Sequence, residues 1–314
     1  LSDSTSTRGI RLMLCIGLAV SLARGGAPPE IAYIQDGALC LATLAGDPVH
    51  VTKPRAPIGD FTVSPDASQV IFIPRDASRD GGPLYLLDVK SNIVRKLSRG
   101  IYWTPPPDSS HREVYADPEF SPDGAAVVFA IRDVPRSGDV DMVEASGPLA
   151  VMDVRSRRVR LLQATLNVDG QGPAFANTPH WSPDGTQILV SFETGFAIVS
   201  ADGKTLKDVT PPQLPDNNDW SLGLRWFGNQ SIVFGAGRNG VIGRIEVLQL
   251  SSASNEEAVH LSWLVPPAIE NLQVSGSLVL TGTKTQSQPF DLKTHKLLRQ
   301  FPPGAKLLRS RSTR

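Results

Sequence analysis

The sequence predicts an all-β chain of about six four-stranded antiparallel blades closed into a ring, a β-propeller whose first blade is completed by the C-terminal strand. Three observations carry this. A Ser-Pro-Asp-Gly phrase or near copy recurs as Val63-Ser-Pro-Asp-Ala67, Phe120-Ser-Pro-Asp-Gly124 and Trp181-Ser-Pro-Asp-Gly185, with its serines at 64, 121 and 182. Self-similarity at a spacing of that size signals a repeat architecture. The 27 glycines and 26 prolines fall between short apolar runs, and no long stretch has the period of an amphipathic helix. Finally, the chain begins with three strands of a unit that lacks its first and ends on a lone strand. Ring closure joins the two leftovers and leaves no long exposed edge.

The phrase is a turn before it is anything else. Serine suits the first turn position, proline pre-sets φ at the second, and glycine tolerates positive φ at the fourth. The result is a three-residue hairpin with a glycine bulge, joining two antiparallel strands. Asp66, Asp123 and Asp184 are therefore turn residues first, with catalysis the minor reading. Ala67 stands where the other copies have glycine, which costs about 1 kcal/mol if φ there is positive.

With the turn placed, the strands follow in order. Segments 31–34, 38–44 and 49–52 form the incomplete first unit. Asp60 opens the second, followed by 69–73, 84–89 and 93–97. The third runs through 126–131, 149–154 and 159–162, and the fourth spans 178–209. Residues 224–234 keep the aromatic and replace the turn by Phe-Gly-Asn, residues 272–280 shorten it again, and 305–309 is the closing strand. The blades are expected near 30–52 with 303–310, 56–98, 115–163, 177–210, 219–262 and 268–301.

This phrase, an apolar residue and Ser-Pro-Asp-Gly ahead of a strand, resembles the repeat of TolB-type six-bladed propellers, also found in prolyl-oligopeptidase-family peptidases. The resemblance covers nearly all of the chain after the leader and implies the fold. It implies little about activity, because this propeller serves many roles. The sequence has no room for the N-terminal α/β domain of TolB and no Gly-x-Ser-x-Gly elbow of the peptidases. A fragment of such a peptidase is a further reading.

Composition narrows the partners. The formal net charge is zero, which gives no bulk attraction to nucleic acid or to a membrane surface. The basic run 306–314 reads as a solvated tail. Arg8 and Arg11 precede an apolar run at 12–22, and Ser21-Leu22-Ala23 ends it with small residues at −3 and −1. That is a secretory leader, residues 1–23, with the propeller on 24–314. A retained anchor is the alternative, and lipidation at Cys15 is disfavoured by Leu14. The apolar run is too short for a comfortable membrane span. Periplasmic or secreted placement and a monomer are expected. Cys40 would have no partner after cleavage, so no disulfide and no cysteine-based metal site is expected.

Two groups of residues are candidates for binding. In a propeller the Ser-Pro-Asp-Gly turns share one face with the third-to-fourth-strand turns. The long segments 76–83, 99–116, 132–148, 164–178 and 211–219 fall on the other, where scaffold-held loops carry function. There Tyr102 and Trp103, beside Pro105–Pro107, have the character of interface anchors. His111, Arg112, Asp133, Asp141, Asp219 and Trp220 accompany them. The acidic loop with Asp133, Asp139, Asp141 and Glu144 matches no EF-hand spacing and reads as solvated. The second group lines the channel. Two residues before each turn stand Thr62, Glu119, His180, Arg225 and Gln273, and four before stand Asp60, Asp117, Thr178, Gly223 and Asn271. Strand alternation puts both sets on one side, so Asp60, Asp117, Glu119, His180, Arg225 and Asn271 are the channel-mouth candidates. A hydrated channel without ligand is the bland alternative.

No phosphate loop, dinucleotide fingerprint or histidine-rich metal set occurs, so no cofactor is expected. The resulting expectation is a non-catalytic, exported module for a protein or peptide partner. A small-ligand, hydrolase or lyase propeller using the channel mouth is the alternative.

Overall fold

The computed structural model describes residues 29–44, 48–75, 82–97, 111–135, 149–162, 177–192, 195–204, 206–209, 219–238, 241–250, 258–259, 271–275, 278–283, 285–291, 296–303 and 305–308. They form six four-stranded antiparallel sheets and no helix. The first blade holds β1 (Ile31–Gln35), β2 (Ala38–Ala42) and β3 (Pro48–Thr52). The second holds β4 (Ile58–Val63), β5 (Gln69–Pro74), β6 (Tyr85–Asp88) and β7 (Ile93–Lys96). The third holds β8 (His111–Phe120), β9 (Ala126–Pro135), β10 (Leu149–Asp153) and β11 (Val159–Leu161). The fourth holds β12 (Asn177–Trp181), β13 (Gln187–Phe192), β14 (Gly195–Ser200) and β15 (Leu206–Val209). The fifth holds β16 (Asp219–Trp226), β17 (Ser231–Arg238), β18 (Val241–Gln249) and β19 (Ala258–Val259). The sixth holds β20 (Asn271–Ser275), β21 (Leu278–Gly282), β22 (Ser287–Asp291) and β23 (Lys296–Leu297). The last strand, β24 (Lys306–Leu307), pairs antiparallel with β1 through Ile31↔Leu307 and Ala32↔Lys306, closing the ring as the leftover strands require.

Each of the six apolar clusters lies between two neighbouring blades. Ile71, Ile73 and Leu84 of the second blade pack with Val127, Phe129 and Ile131 of the third. Val128, Ala130 and Val151 of the third meet Trp181, Ile188 and Val190 of the fourth. Leu189 and Ile198 meet Trp226 and Phe234, Val233 meets Leu272 and Val279, and Leu280 meets Ile31 and Tyr33. Leu39 and Leu41 meet Ile58 and Phe72, which completes the circuit. A second strand therefore buries both its faces, and Val70–Ile73 and Val127–Ile131 are unbroken apolar runs rather than alternating ones. Cys40 is one of these small buried residues.

The Ser-Pro-Asp-Gly turns form as their residues dictate. Gly124 and Gly185 have φ of 74° each and Ala67 has φ of 58°, so the alanine copy does sit in the left-handed region. In the second copy the Ser121 hydroxyl donates to Asp123 Oδ1 (2.6 Å), which also accepts from the Ala125 N–H (2.9 Å). Ser121 Oγ in turn accepts from the Ala126 N–H (2.9 Å). Asp66 and Asp184 repeat the pattern with Ser64 and Ser182. Burial pushes the Asp184 carboxyl up, but donors from Ser182 and Thr186 outweigh it and hold the group below its ordinary value. All three aspartates are turn acceptors. Adjacent turns also nest, because a Cβ on Gly124 would meet Pro65 Cδ at 3.4 Å and one on Gly185 would meet Pro122 Cδ at 3.5 Å. That contact is ordinary, so the positive φ and not lack of space calls for glycine.

His50, on β3, has both ring nitrogens buried without a hydrogen-bond partner among the described residues. Burial, the larger influence, lowers its pKa below the ordinary 6.5, against the smaller opposing influence of the Val89 backbone. A depressed folded-state pKa contributes stability above the unfolded value and loses it as pH falls through the folded value. The urea midpoint is thus expected to drop on going from pH 8 to below pH 6.5. His50→Leu should flatten the part of that drop due to this residue, and an identical pH profile for the two proteins would show that the ring is solvated.

Candidate functional site

The first strand of each blade is innermost, and β4, β8, β12, β16, β20 and β24 neighbour one another around a central channel. A cavity of about 290 Å³ occupies it. The walls carry the two polar sets read from the repeat register: Asp60 and Thr62, Asp117 and Glu119, Thr178 and His180, then Arg225 and Gln273. Lys306 completes the lining from the closing strand. Of the channel candidates, Asp60, Asp117, Glu119, His180 and Arg225 converge on this cavity. Asn271 opens β20 opposite Gly282 at the equivalent register.

Three consecutive blades are tied across the channel. His180 is buried at 5 % exposure, with Nδ1 against Glu119 Oε2 and Nε2 against Arg225 Nη1. Guanidinium only donates, so Nε2 accepts, and His180 is the neutral tautomer that donates from Nδ1 to the carboxylate. The other oxygen of Glu119 accepts from the Trp181 backbone N–H (3.0 Å). Arg225 also donates to the Leu224 carbonyl (2.8 Å). The same habit recurs around the ring. Thr62 Oγ1 accepts from the Phe120 N–H (3.3 Å), and Gln273 accepts from the Leu307 N–H (3.0 Å) while donating to the Ala305 carbonyl (3.2 Å). Trp181 and Trp226 add indole donors to the Glu119 and His180 carbonyls (3.2 and 3.0 Å), so each reaches back to the preceding blade.

Backbone irregularity collects at one end of these strands. Register shifts interrupt β4 between Ile58 and Phe61, β8 between Ala116 and Glu119, β12 between Asn177 and His180, and β16 between Leu222 and Arg225. Asp117 and Thr178 have φ of 50° and 43°, and each precedes a proline. Bulges are where proline is tolerated in a sheet, and where a strand re-aims its side chains.

The other group of candidates is distributed differently from the sequence expectation. Tyr102, Trp103 and Asp141 lie outside the described residues. Residues 111–116 and 132–135 are strand rather than loop, because β8 and β9 continue as a ten-residue hairpin arm with Arg112 opposite Val134 and Glu113 opposite Asp133. His111, Arg112 and Asp133 thus stand on this arm, and Asp219 and Trp220 begin β16, opposite Gly237 and Ala236. The pairing energy of a long ladder overrides the polar, loop-like composition of these stretches. Strand direction puts these extensions, and the outer end of β17 and β18, on the face away from the Ser-Pro-Asp-Gly turns. The turn face has a shallow depression of about 880 Å³ lined by the turns themselves, among them Pro65, Asp123 and Asp184.

A second correction concerns Lys306. It is not part of a solvated tail: it lies on β24, its Nζ is 2.5 Å from Asp60 Oδ1, and it stands 5.4 Å from the centroid of the Phe61 ring. The Asp60 carboxylate also caps the Phe61 N–H (2.9 Å). The signal was the ring closure itself, which places 306 beside the channel strands.

Metal donors do not gather here: among the described residues no three His, Cys, Asp or Glu side chains are grouped as ligands. Among the described residues no helix is long and apolar enough to cross a membrane.

No protein-family model matches the sequence, and no curated protein matches it. Solved structures do. TolB from Acinetobacter baumannii is 14% identical, with a TM-score of 0.58 over 90% of this chain and 67% of that one. An oligogalacturonate lyase in complex with manganese is 12% identical, with a TM-score of 0.54 over 83% of this chain and 69% of that one. A chain of a nidogen/laminin complex is 11% identical, with a TM-score of 0.56 over 90% of this chain and 99% of that one. At these identities the likeness is one of fold. The manganese of the lyase has no counterpart donor set among the described residues here. Six blades of four strands, a ring closed by the last strand and the Ser-Pro-Asp-Gly register give this chain the TolB-type six-bladed β-propeller fold.

Proposed function

We propose that this chain is an exported, non-catalytic propeller that captures a protein or peptide partner on the face opposite its Ser-Pro-Asp-Gly turns. One observation carries the reading: the two faces differ in kind. The turn face is made of short hairpins whose serine and aspartate side chains satisfy their own backbone. The opposite face receives the arm of β8 and β9 and the bulged strand starts. Binding residues sit where a rigid scaffold holds variable connections. The propeller in the nidogen/laminin complex supports protein recognition as a use of this fold. Export rests on the leader pattern of residues 1–23.

The test compares faces. Residues 24–314, immobilised, are offered extract of the exporting compartment, alongside a Tyr102→Ala/Trp103→Ala variant and a turn-face variant, Asp123→Ala. The expected result is a partner retained by the parent and by the turn-face variant and lost by the aromatic double variant, all three giving folded β signatures. Equal capture by all three would remove the long-loop face from the account.

A second reading has its own support. The channel cavity, with Asp60, Asp117, Glu119, His180, Arg225 and Lys306 on its walls, has the size and polarity to take a small polar ligand. Glu119, His180 and Arg225 spend hydrogen bonds on one another and on neighbouring backbone, which fits fastening better than proton transfer.

A further inference from the structure

The channel wall is electrically lopsided. Its carboxylates, Asp60, Asp117 and Glu119, all stand on the second and third blades, whereas Arg225 faces them from the fifth. With His180 neutral, the described lining residues set three carboxylates against two cations, Lys306 and Arg225. Arg225 is held against His180 and the Leu224 carbonyl, so its charge stays at its own side. Asp60 and Asp117 occupy the same register of adjacent inner strands, each four residues before its turn serine, at the end nearer the long-loop face. Asp117 is held there in a left-handed backbone conformation, and strain of this sort gathers at sites where a side chain must be aimed.

What this wall accepts is visible from its present occupant. The Lys306 ammonium lies between the Asp60 carboxylate and the face of Phe61, an ion pair and a cation–π contact at once. Both charged side chains are about one-third exposed, so the pair is open to exchange. The strand that delivers Lys306 is two residues long and is anchored through its backbone, by its pairing with β1, by the Leu308 N–H to the Glu30 carbonyl and by Gln273 and Ser275, so exchange involves the Lys306 side chain and not the strand. The geometry points to a cation subsite at Asp60, Phe61 and Asp117, filled from within by Lys306, that takes the ammonium of a lysine side chain inserted by the partner. This inference rests on the proposed partner-binding face and gives that partner a chemistry.

The experiment is calorimetric titration of the folded chain with Nα-acetyl-lysine methylamide, Nα-acetyl-norleucine methylamide and 1,5-diaminopentane. The lysine compound is expected to bind, more weakly as salt rises, and the norleucine compound not to bind. Lys306→Met removes the internal competitor and should tighten lysine binding roughly threefold to tenfold. Asp60→Asn/Asp117→Asn should abolish it, with Asp117→Asn alone as the milder variant if the double one loses thermal stability. Equal binding of lysine and norleucine compounds overturns the inference, as does weaker or unchanged binding by the Lys306→Met protein. Preference for the free diamine over the lysine compound also overturns it, assigning the site to a soluble polyamine. Partner capture by Asp60→Asn/Asp117→Asn at the parent level, with loss in the Tyr102/Trp103 variant, would sink the subsite and leave the face reading standing. Capture insensitive to both would sink the two together.

Discussion

Replacing Glu119 by alanine is expected to lower the free energy of unfolding by about 3 kcal/mol, the range for stripping one partner from a buried charged network. The side chain is one-fifth exposed, which keeps the figure toward the lower end of that range. Two groups lose their acceptor at once and a third contact is loosened. The Trp181 N–H is left in the blade interface, His180 Nδ1 has no carboxylate, and the histidine is free to turn away from Arg225. Glu119→Gln preserves an acceptor for Trp181 and a polar contact for His180, so its cost should be nearer 1 kcal/mol. Urea unfolding of the two variants and of Arg225→Met, with the Glu119/Arg225 double variant, separates the relay from its surroundings. A coupling well above the additivity error of about 0.5 kcal/mol identifies a connected unit. A loss below 1 kcal/mol for the alanine variant would mean that water replaces the carboxylate, and that the polar ring hydrates the channel without fastening it.

This division of labour separates two halves of one cavity. Glu119, His180 and Arg225 lie deeper along their strands and tie the third, fourth and fifth blades. Asp60, Asp117 and Lys306 lie around the mouth, where the exposed ion pair can exchange partners. A ligand at the mouth need not disturb the relay.

The repeat made much of this legible. Once serine 64, 121 and 182 fix the register, counting back two and four residues finds the channel wall, including positions in blades whose turn has eroded, such as Arg225 and Gln273. What failed to show has physical reasons. Lys306 sits in a basic stretch that reads as a solvated tail; the leftover strands do predict that 305–309 closes the first blade, but no local pattern shows that the Lys306 side chain turns to the channel and meets Asp60. The strand extensions at 111–116 and 132–135 mix charged residues (Arg112, Glu113, Arg132, Asp133) with short apolar pieces and lie next to long polar segments, so they carry a loop composition although the ladder continues through them. A second repeat stands in the sequence on the third-to-fourth-strand turns. Asp88-Val-Lys-Ser-Asn92 and Asp153-Val-Arg-Ser-Arg157 are equivalent third-to-fourth-strand turns, each with its aspartate accepting from the serine backbone N–H (2.8 and 2.6 Å) and with φ of 55° and 59° at the last residue. The tryptophans of 181 and 226 read as apolar flanks of a turn, while their indole N–H groups also stitch blade to blade.

Phe129→Ala is the second large effect, an expected loss of about 3–5 kcal/mol. Its ring is fully buried in β9, packs edge-on against Tyr115 at 5.5 Å, and meets Ile71, Ile73 and Leu84 of the second blade. The vacated volume has sheets on both sides, and each sheet is held in position by its next neighbour around the closed ring. Collapse into the gap is therefore resisted from two directions, which puts the cost above that of a residue facing a mobile surface. Leu161→Ala, on the outer strand of the same blade and 38% exposed, should cost less than 1 kcal/mol. Because each apolar cluster is shared by two blades, the damage should not stay local: calorimetry is expected to show one cooperative transition at lower temperature, not a melted third blade beside five intact ones. Two resolved transitions in the Phe129→Ala protein would mean that blades fold as separate units and that closure by β24 contributes little to cooperativity. A single shifted transition means that the same closure which brings Lys306 to Asp60 also sets the stability of the whole ring.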